Sequence, residues 1–449
     1  MTAAQSSRSG TAVAVQLGTM MFLQFFVWGA WYVSMTGFIN KSGMGAVTGA
    51  AYMVAPIAAI LSPLFLGLIA DRYFSSEKVL GVLHMLGGAA LLIAPSAARE
   101  FQLPAMPENA GVFYRVVLHD LPAFGHPFIL ILLLHMLCYM PTLALSTSLS
   151  FHNLTNREKQ FPLIRVLGTI GWIVGNIAVS FLPGKDESAI QFYLAGGAGL
   201  VLGLYAFSLP HTPPPLIGTK PTVGQILGLD SLVLLKRRPY LVFIICSFLL
   251  CIPLAGYYQQ ARNFVAASGA VVRDSATFTM SFGQMSEVFF MLVMPLCFAR
   301  LGVKWMLLVG MLAWVLRYGL FYLAVDDRVV WMILTGIILH GVCYDFFFVT
   351  GMIYVDKAAP PTIRGQAQGF LVLITQGLGL GIGAKLFFGL VLENSTDEGV
   401  LWKNIWLAPC LFAAGVMVLF FFLFNDRVAA SPKEIGQTPP GPDQSETAV

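Results

Sequence analysis

The sequence predicts an all-α membrane protein of twelve transmembrane helices arranged as two six-helix halves. Three observations predict it. Long apolar runs recur from one end of the 449-residue chain to the other. Only 11% of residues are charged, against about 25% in a soluble domain. The mean hydropathy is +0.76. Runs of about 20 apolar residues cross a hydrocarbon layer as helices, and they lack the alternation of membrane-barrel strands.

In chain order, a polar leader (1–12, MTAAQSSRSG and the first apolar residues) shows no cleavage pattern ahead of a full-length first span. Six spans are expected in the first half (13–209), at 13–40, 45–70, 78–96, 127–151, 161–182 and 190–209. A connection at 210–238 holds Pro213, Pro214 and Pro215 and ends in KRRP. Six more spans are expected in the second half (239–424), at 239–263, 275–299, 303–324, 329–354, 364–391 and 401–424. The tail, 425–449, is rich in Pro, Gln, Thr, Glu and Ser and is expected to be disordered. If both termini are cytoplasmic, 15 basic residues fall in inner segments and 8 in outer ones, the bias expected of that orientation.

Two cues support the division into halves. KQFPLIR (159–165) leads into the fifth span, and KAAPPTIR (357–364) leads into the fifth span of the second half. SPLFLGLIADRYF (62–74) places Gly67, Ala70, Asp71 and Arg72 at the turn between spans two and three. That turn resembles a degraded Gly-x-x-x-Asp-Arg signature of the major facilitator superfamily. The resemblance implies a midplane substrate site between two halves that expose it alternately, and a monomer as the working unit.

FLQFFVWGAW (22–31), YMPTLAL (139–145), FPLIRVLGTIGW (161–172), QMSEVFFMLVMP (284–295), AWVLRYGLF (313–321), CYDFFFVTG (343–351) and IRGQAQG (363–369) go further. In order, over nearly the whole chain, they resemble the bacterial nucleoside:proton symporter family. The resemblance implies a proton-driven nucleoside importer of the bacterial inner membrane. It also implies a binding site at Arg165, Thr169, Trp172 (where phenylalanine is usual), Gln284, Glu287, Tyr344 and Asp345. His340 stands where the family pattern has a tyrosine, and Ala255 and Tyr258 stand where it has amides. Gln259 and Gln260 are the amides at hand to replace them.

The residues themselves give the chemistry. Arg165, Thr169 and Trp172 are spaced four and three apart on one helical stripe: a cation, a hydroxyl and a flat aromatic face. The competing reading has Arg165 snorkelling to headgroups from the end of its span. Gln284 and Glu287 share a face, and Glu287 lies about 12 residues from each end of its span. A carboxyl at that depth needs a polar cavity or a partner, and it can load and release a proton. Arg317 is at similar depth in the next span. His340 and Tyr344 are one turn apart and share a face, while Asp345 points about 140° away from His340 on an α-helical wheel. Asp345 is therefore read as either ion-paired to Arg317 or alternately protonated; His340 is read as lining the substrate cavity with Tyr344, where it either joins the proton path or is a packed neutral ring bonded to a backbone carbonyl. Gln24, on a stripe with Trp28 and Trp31, is a further pocket candidate, as is Tyr258 in the seventh span; the first-span aromatics are read as packing. Lys385 is read as structural or snorkelling.

Other functions find little support. No phosphate loop follows a strand and no HExxH occurs, so neither an enzyme nor a cofactor is expected. The six cysteines lie in apolar runs without metal spacing. Basic residues form no stripe for nucleic acid. Two alternatives stay open: a proton-coupled carrier of another small polar solute, such as a sugar or modified nucleoside, and a non-transporting sensor on the same fold.

Overall fold

The structure, a computed structural model, describes residues 10–65, 73–155, 157–182, 184–213, 229–360 and 363–425. The signature turn at 67–72, most of the central connection and the tail lie outside them. The described helices are α1 Gly10–Lys41, α2 Thr48–Phe65, α3 Ser76–Ile93, α4 Pro127–Asn153, α5 Arg157–Phe181 and α6 Ile190–Ala206. In the second half they are α7 Arg238–Ser268, α8 and α9 within Ala276–Ala324, α10 Val330–Ala358, α11 Arg364–Glu393 and α12 Trp402–Leu423. The chain turns from α8 into α9 at Gly302, whose φ is 67°. That makes twelve spans in the major facilitator fold. Strands β1 Ser395–Thr396 and β2 Gly399–Val400 form a small antiparallel hairpin before α12, with Ser395 opposite Val400.

The expected limits hold to a few residues, with two informative differences. Helix α7 runs on to Ser268 and stops at Gly269, a left-handed residue that caps its end. Helix α5 begins at Arg157 and not at 161, which puts Arg165 about 12 Å into the helix.

Packing follows the two-half plan. Helix α1 lies on α5, α3 on α4 and α6; α7 lies on α11, and α9 and α8 on α10 and α12. The α1–α5 crossing is close because Gly171 has no side chain. A Cβ there would sit 2.1 Å from the Phe22 carbonyl oxygen. The halves meet through α2 against α11 and α5 against α8. Those are the second and fifth helices of each half, paired crosswise, so the space between the halves is bounded symmetrically.

Candidate substrate site between the two halves

The first half presents an aromatic wall. Trp28 and Tyr32 are one turn apart on α1 and meet edge to face at 5.6 Å; Trp28 meets Trp172 of α5 at 5.4 Å and Tyr139 of α4 at 5.5 Å. Tyr32 then reaches across to Tyr258 of α7, with ring centroids 5.8 Å apart. The indole N–H groups of Trp28 and Trp172 find no partner among the described residues. Thr169 is buried one turn before Trp172. Arg165 lies with its guanidinium 4.2 Å from the Phe25 ring centroid, and its buried Nη1 has no partner among the described residues. It is near enough to Glu287, Asp345 and Tyr344 to act on all three electrostatically. Arg165 thus faces the centre of the molecule and not the headgroups.

The second half presents a polar row. Gln284 lines a small cavity with Tyr32, Tyr257, Tyr258, Met280 and Arg262, its buried Oε1 unpartnered among the described residues. Three residues on, Glu287 Oε1 lies 3.1 Å from His340 Nε2. The other nitrogen of that ring, Nδ1, lies 2.8 Å from Arg317 Nη2. Arg317 is fully buried, its guanidinium 4.2 Å from the Tyr257 ring centroid, and Tyr257 stacks on His340 at 5.3 Å. Tyr344 shares the His340 face, with centroids 6.1 Å apart.

Helix α10 is built to allow this. It breaks at Leu339, resumes over His340–Cys343 and widens into a π-turn over Tyr344–Val349. The break frees the Ile338 carbonyl and the Gly341 N–H, and Ser286 of α8 serves both, donating to the first at 2.7 Å and accepting from the second at 3.0 Å. A Cβ on Gly341 would meet Ser286 backbone carbon at 2.6 Å. Glycine there lets α8 and α10 touch, and one helical step along α8 that closeness puts Glu287 against His340.

Four expectations are corrected. Asp345 is not paired with Arg317. It is fully buried, both its oxygens lack a hydrogen-bond partner among the described residues, and the charges that act on it are Glu287 and Arg165. The expected separation of Asp345 from His340 stands, since that ring's nitrogens meet Arg317 and Glu287; the expected partner does not. Gln24 does not face the centre. Its amide donates to Thr142 Oγ1 and accepts from His84, both at 2.7 Å, and its backbone oxygen accepts from Tyr139. A fully satisfied amide inside the first half is structural. His340 does not hydrogen-bond a backbone carbonyl, because Arg317 and Glu287 take its two nitrogens. The amides near Tyr258 do not replace those missing from α7 either. Gln259 is tied to the Ala384 carbonyl at 2.8 Å, and Gln260 looks into an outlying vestibule.

That vestibule, of about 880 Å³, opens between the halves at the end of the bundle opposite the termini, lined by Asn40, Phe101, Asn263 and Trp402 among others. Arg262 borders both the vestibule and the central cavity. Asp186 Oδ2, from the first half, accepts from Arg262 Nε at 3.0 Å and Nη2 at 2.8 Å, and from the Thr277 N–H and hydroxyl of α8. Burial pushes the Asp186 carboxyl up, but Arg262 and the Thr277 hydroxyl outweigh it and hold it below its ordinary range. Asp120 pairs with Lys385 of α11, so that lysine neither snorkels nor packs alone. Arg115 and Glu393 add an exposed pair. All three pairs join the halves at this one end, and it is closed. Sequence reading missed Trp28, Tyr32 and Tyr257 as site residues and missed these pairs. The four-residue spacing of Trp28 and Tyr32 was a usable signal; nothing local marks the pairs. No group of three or more His, Cys, Asp or Glu side chains able to hold a metal occurs among the described residues.

The chain matches the family described as Nucleoside H+ symporter over residues 11–106 and 120–428. It is 39% identical to YegT of Escherichia coli strain K12, over 92% of this chain and 93% of that protein. It is 31% identical to the xanthosine permease of the same strain, over 92% and 96%. The crystal structure of nucleoside transporter NupG superposes with a TM-score of 0.76 at 27% identity, covering 92% of this chain and all of that one.

Proposed function

Because the chain belongs to the nucleoside H+ symporter family, we propose that it imports nucleosides with protons by alternating access, using the residues between its halves. One observation carries the assignment of roles: two acidic side chains and one basic side chain, drawn from both halves, share a centre walled by aromatic rings. The planar base stacks on the Trp28–Trp172 wall and Tyr344. Sugar hydroxyls donate to the Glu287 carboxylate and Gln284 Oε1, while Arg165 and the two indole N–H groups donate to the ligand.

The proton goes to Asp345. An ionised carboxylate buried without a hydrogen bond is unfavourable, so the closed pathway favours its neutral form. Glu287 differs in having a partner, the His340 ring nitrogen 3.1 Å from its Oε1. Asp345 therefore takes up a proton where the pathway opens to the proton-rich side and gives it up where it opens to the other. The excess of basic residues at the end that bears the termini supports placing those termini in the cytoplasm, and the conformation described is then closed on its outer side. One chain supplies every group in the pathway, so the working unit is a monomer. Tyr258 and Ala255 retune which nucleoside fits.

The test is uptake of radiolabelled uridine, adenosine and xanthosine into cells lacking their own permeases. Saturable accumulation that an uncoupler abolishes is expected. Saturable uptake of a sugar with none of any nucleoside would move the substrate class, and no saturable uptake of either would favour a sensor.

A further inference from the structure

We propose that Arg317 and His340 are positioning residues for Glu287: Arg317 fixes the ring tautomer of His340, and that tautomer turns an N–H toward the Glu287 carboxylate. The inference rests on the reading of Glu287 as the ionised acceptor of a nucleoside hydroxyl. It concerns two residues that touch no ligand in that reading.

The logic is one of donors and acceptors. A guanidinium carries only N–H groups and stays charged. At 2.8 Å from Arg317 Nη2, His340 Nδ1 must therefore be the unprotonated, accepting nitrogen. The ring proton of a neutral imidazole is then on Nε2, the nitrogen 3.1 Å from Glu287 Oε1. Protonating Nδ1 as well would set an N–H against an N–H beside a buried cation, so the ring stays neutral while the Arg317 contact lasts. His340 is thus no proton carrier. It passes the polarisation of a buried cation on to a carboxylate that the cation does not itself touch. The geometry around it is fixed: Tyr257 stacks flat on the imidazole, with planes 16° apart, and covers Arg317 as well. The charged and titratable groups against the ring are Glu287 from α8, Arg317 from α9, Tyr257 from α7 and Tyr344 on α10; Tyr258, Asp345 and Arg165 act on Glu287 beyond it. Only Glu287 and Arg317 meet its nitrogens among the described residues.

A tyrosine at this position, as in the related pattern, has one hydroxyl and cannot accept from Arg317 and donate to Glu287 through two fixed atoms of a rigid ring. Glutamine can, through its amide oxygen and nitrogen.

Nucleoside binding to purified protein, measured with uridine, adenosine and xanthosine between pH 5 and 8, tests this in wild type, His340→Phe, Arg317→Met and His340→Gln. Binding weakens in acid as Glu287 takes a proton. In His340→Phe and Arg317→Met the midpoint of that weakening moves up by about one pH unit, the worth of one charge-assisted hydrogen bond. In His340→Gln it returns to within a few tenths. An unchanged midpoint in His340→Phe, with only a lowered Tm, would make the ring a packing element and overturn the proposal. Should Arg317→Met fail to fold, His340→Phe decides alone. Nitrogen-15 NMR of histidine-labelled protein at pH 7, with the His340 signal assigned by its loss in His340→Gln, reads the tautomer directly. An Nε2–H neutral ring is expected; an Nδ1–H ring or an imidazolium overturns the proposal. This second readout stands even if wild type binds none of the three nucleosides, a result that would sink the functional reading instead.

Discussion

At the scale of single residues, the chemistry separates two carboxyl groups that the sequence left interchangeable. Both lie deep in apolar spans, and spacing alone gives each an equal claim on a proton and on Arg317. The structure divides them by partner: Glu287 has His340, and Asp345 has none among the described residues. Asp345→Asn is therefore expected to keep nucleoside binding and exchange across the membrane while abolishing accumulation. Glu287→Gln, which keeps the shape but loses an anionic acceptor, should weaken binding by roughly tenfold, in keeping with about 1.5 kcal/mol for a charge-assisted hydrogen bond. Counterflow of labelled nucleoside beside proton-driven accumulation distinguishes the two. Equal loss of exchange and accumulation in Asp345→Asn would remove it from the coupling role. The depth of Glu287 was legible because a charged group in hydrocarbon must have a purpose, whereas Arg165, Thr169, Trp172, Gln284 and Tyr344 were expected as a set from the resemblance. The same argument misled for Gln24, whose purpose is to bind Thr142 and His84 inside one half. A lone amide in a span announces a partner but not whether that partner is a ligand.

At the scale of elements, α10 departs from the regular helix that a wheel assumes, and the departure has a cause. A wheel assumes 100° per residue, while this helix breaks at Leu339 and widens at Tyr344. No proline or paired glycine flags the change. What stabilises it is Ser286 on a neighbouring helix, about 55 residues away in sequence. Long-range hydrogen bonds of that kind are absent from any local pattern. The dependence on Gly341 yields a direct test. Gly341→Ala places a methyl 2.6 Å from Ser286 backbone, so α8 and α10 must separate. The expected cost is about 1–3 kcal/mol of stability, as for other overpacked sites, seen as a lower Tm in detergent. Because the same contact sets the Glu287–His340 distance, nucleoside affinity should fall with it. A variant that loses stability at full affinity would mean the two helices do not need to touch for the site to form. Gly365, with open space around its Cβ, is the control at which alanine should leave both unchanged.

At the scale of the whole molecule, the twelve spans and the two halves were readable because burial in hydrocarbon writes itself as long apolar runs. The state of the pathway was not. It is set by Asp186 with Arg262 and Asp120 with Lys385, pairs 76 and 265 residues apart in sequence that join one half to the other. Asp186 is almost fully buried and accepts four hydrogen bonds from the opposite half, and removing one partner of such a pair typically costs about 3–5 kcal/mol. Its carboxyl is held below the ordinary range, so the closing contact is complete above that range and weakens only as acid reaches the lowered value. Near neutral pH the closed end is thus insensitive to acid, and in the proposed mechanism gating and coupling use separate carboxyl groups. Asp186→Asn keeps the shape but loses the charge and turns one acceptor oxygen into an NH2 donor, which should shift the population toward molecules open at the end opposite the termini. A cysteine placed at Asn263 in the vestibule, in a background without the six native thiols, reports that opening through its rate of labelling by a membrane-impermeant maleimide. The rate should rise several-fold in Asp186→Asn at pH 7 and should rise in the Asp186 protein only under acid. Unchanged labelling in the variant would show that the Lys385–Asp120 pair and the helix contacts hold this end shut without Asp186.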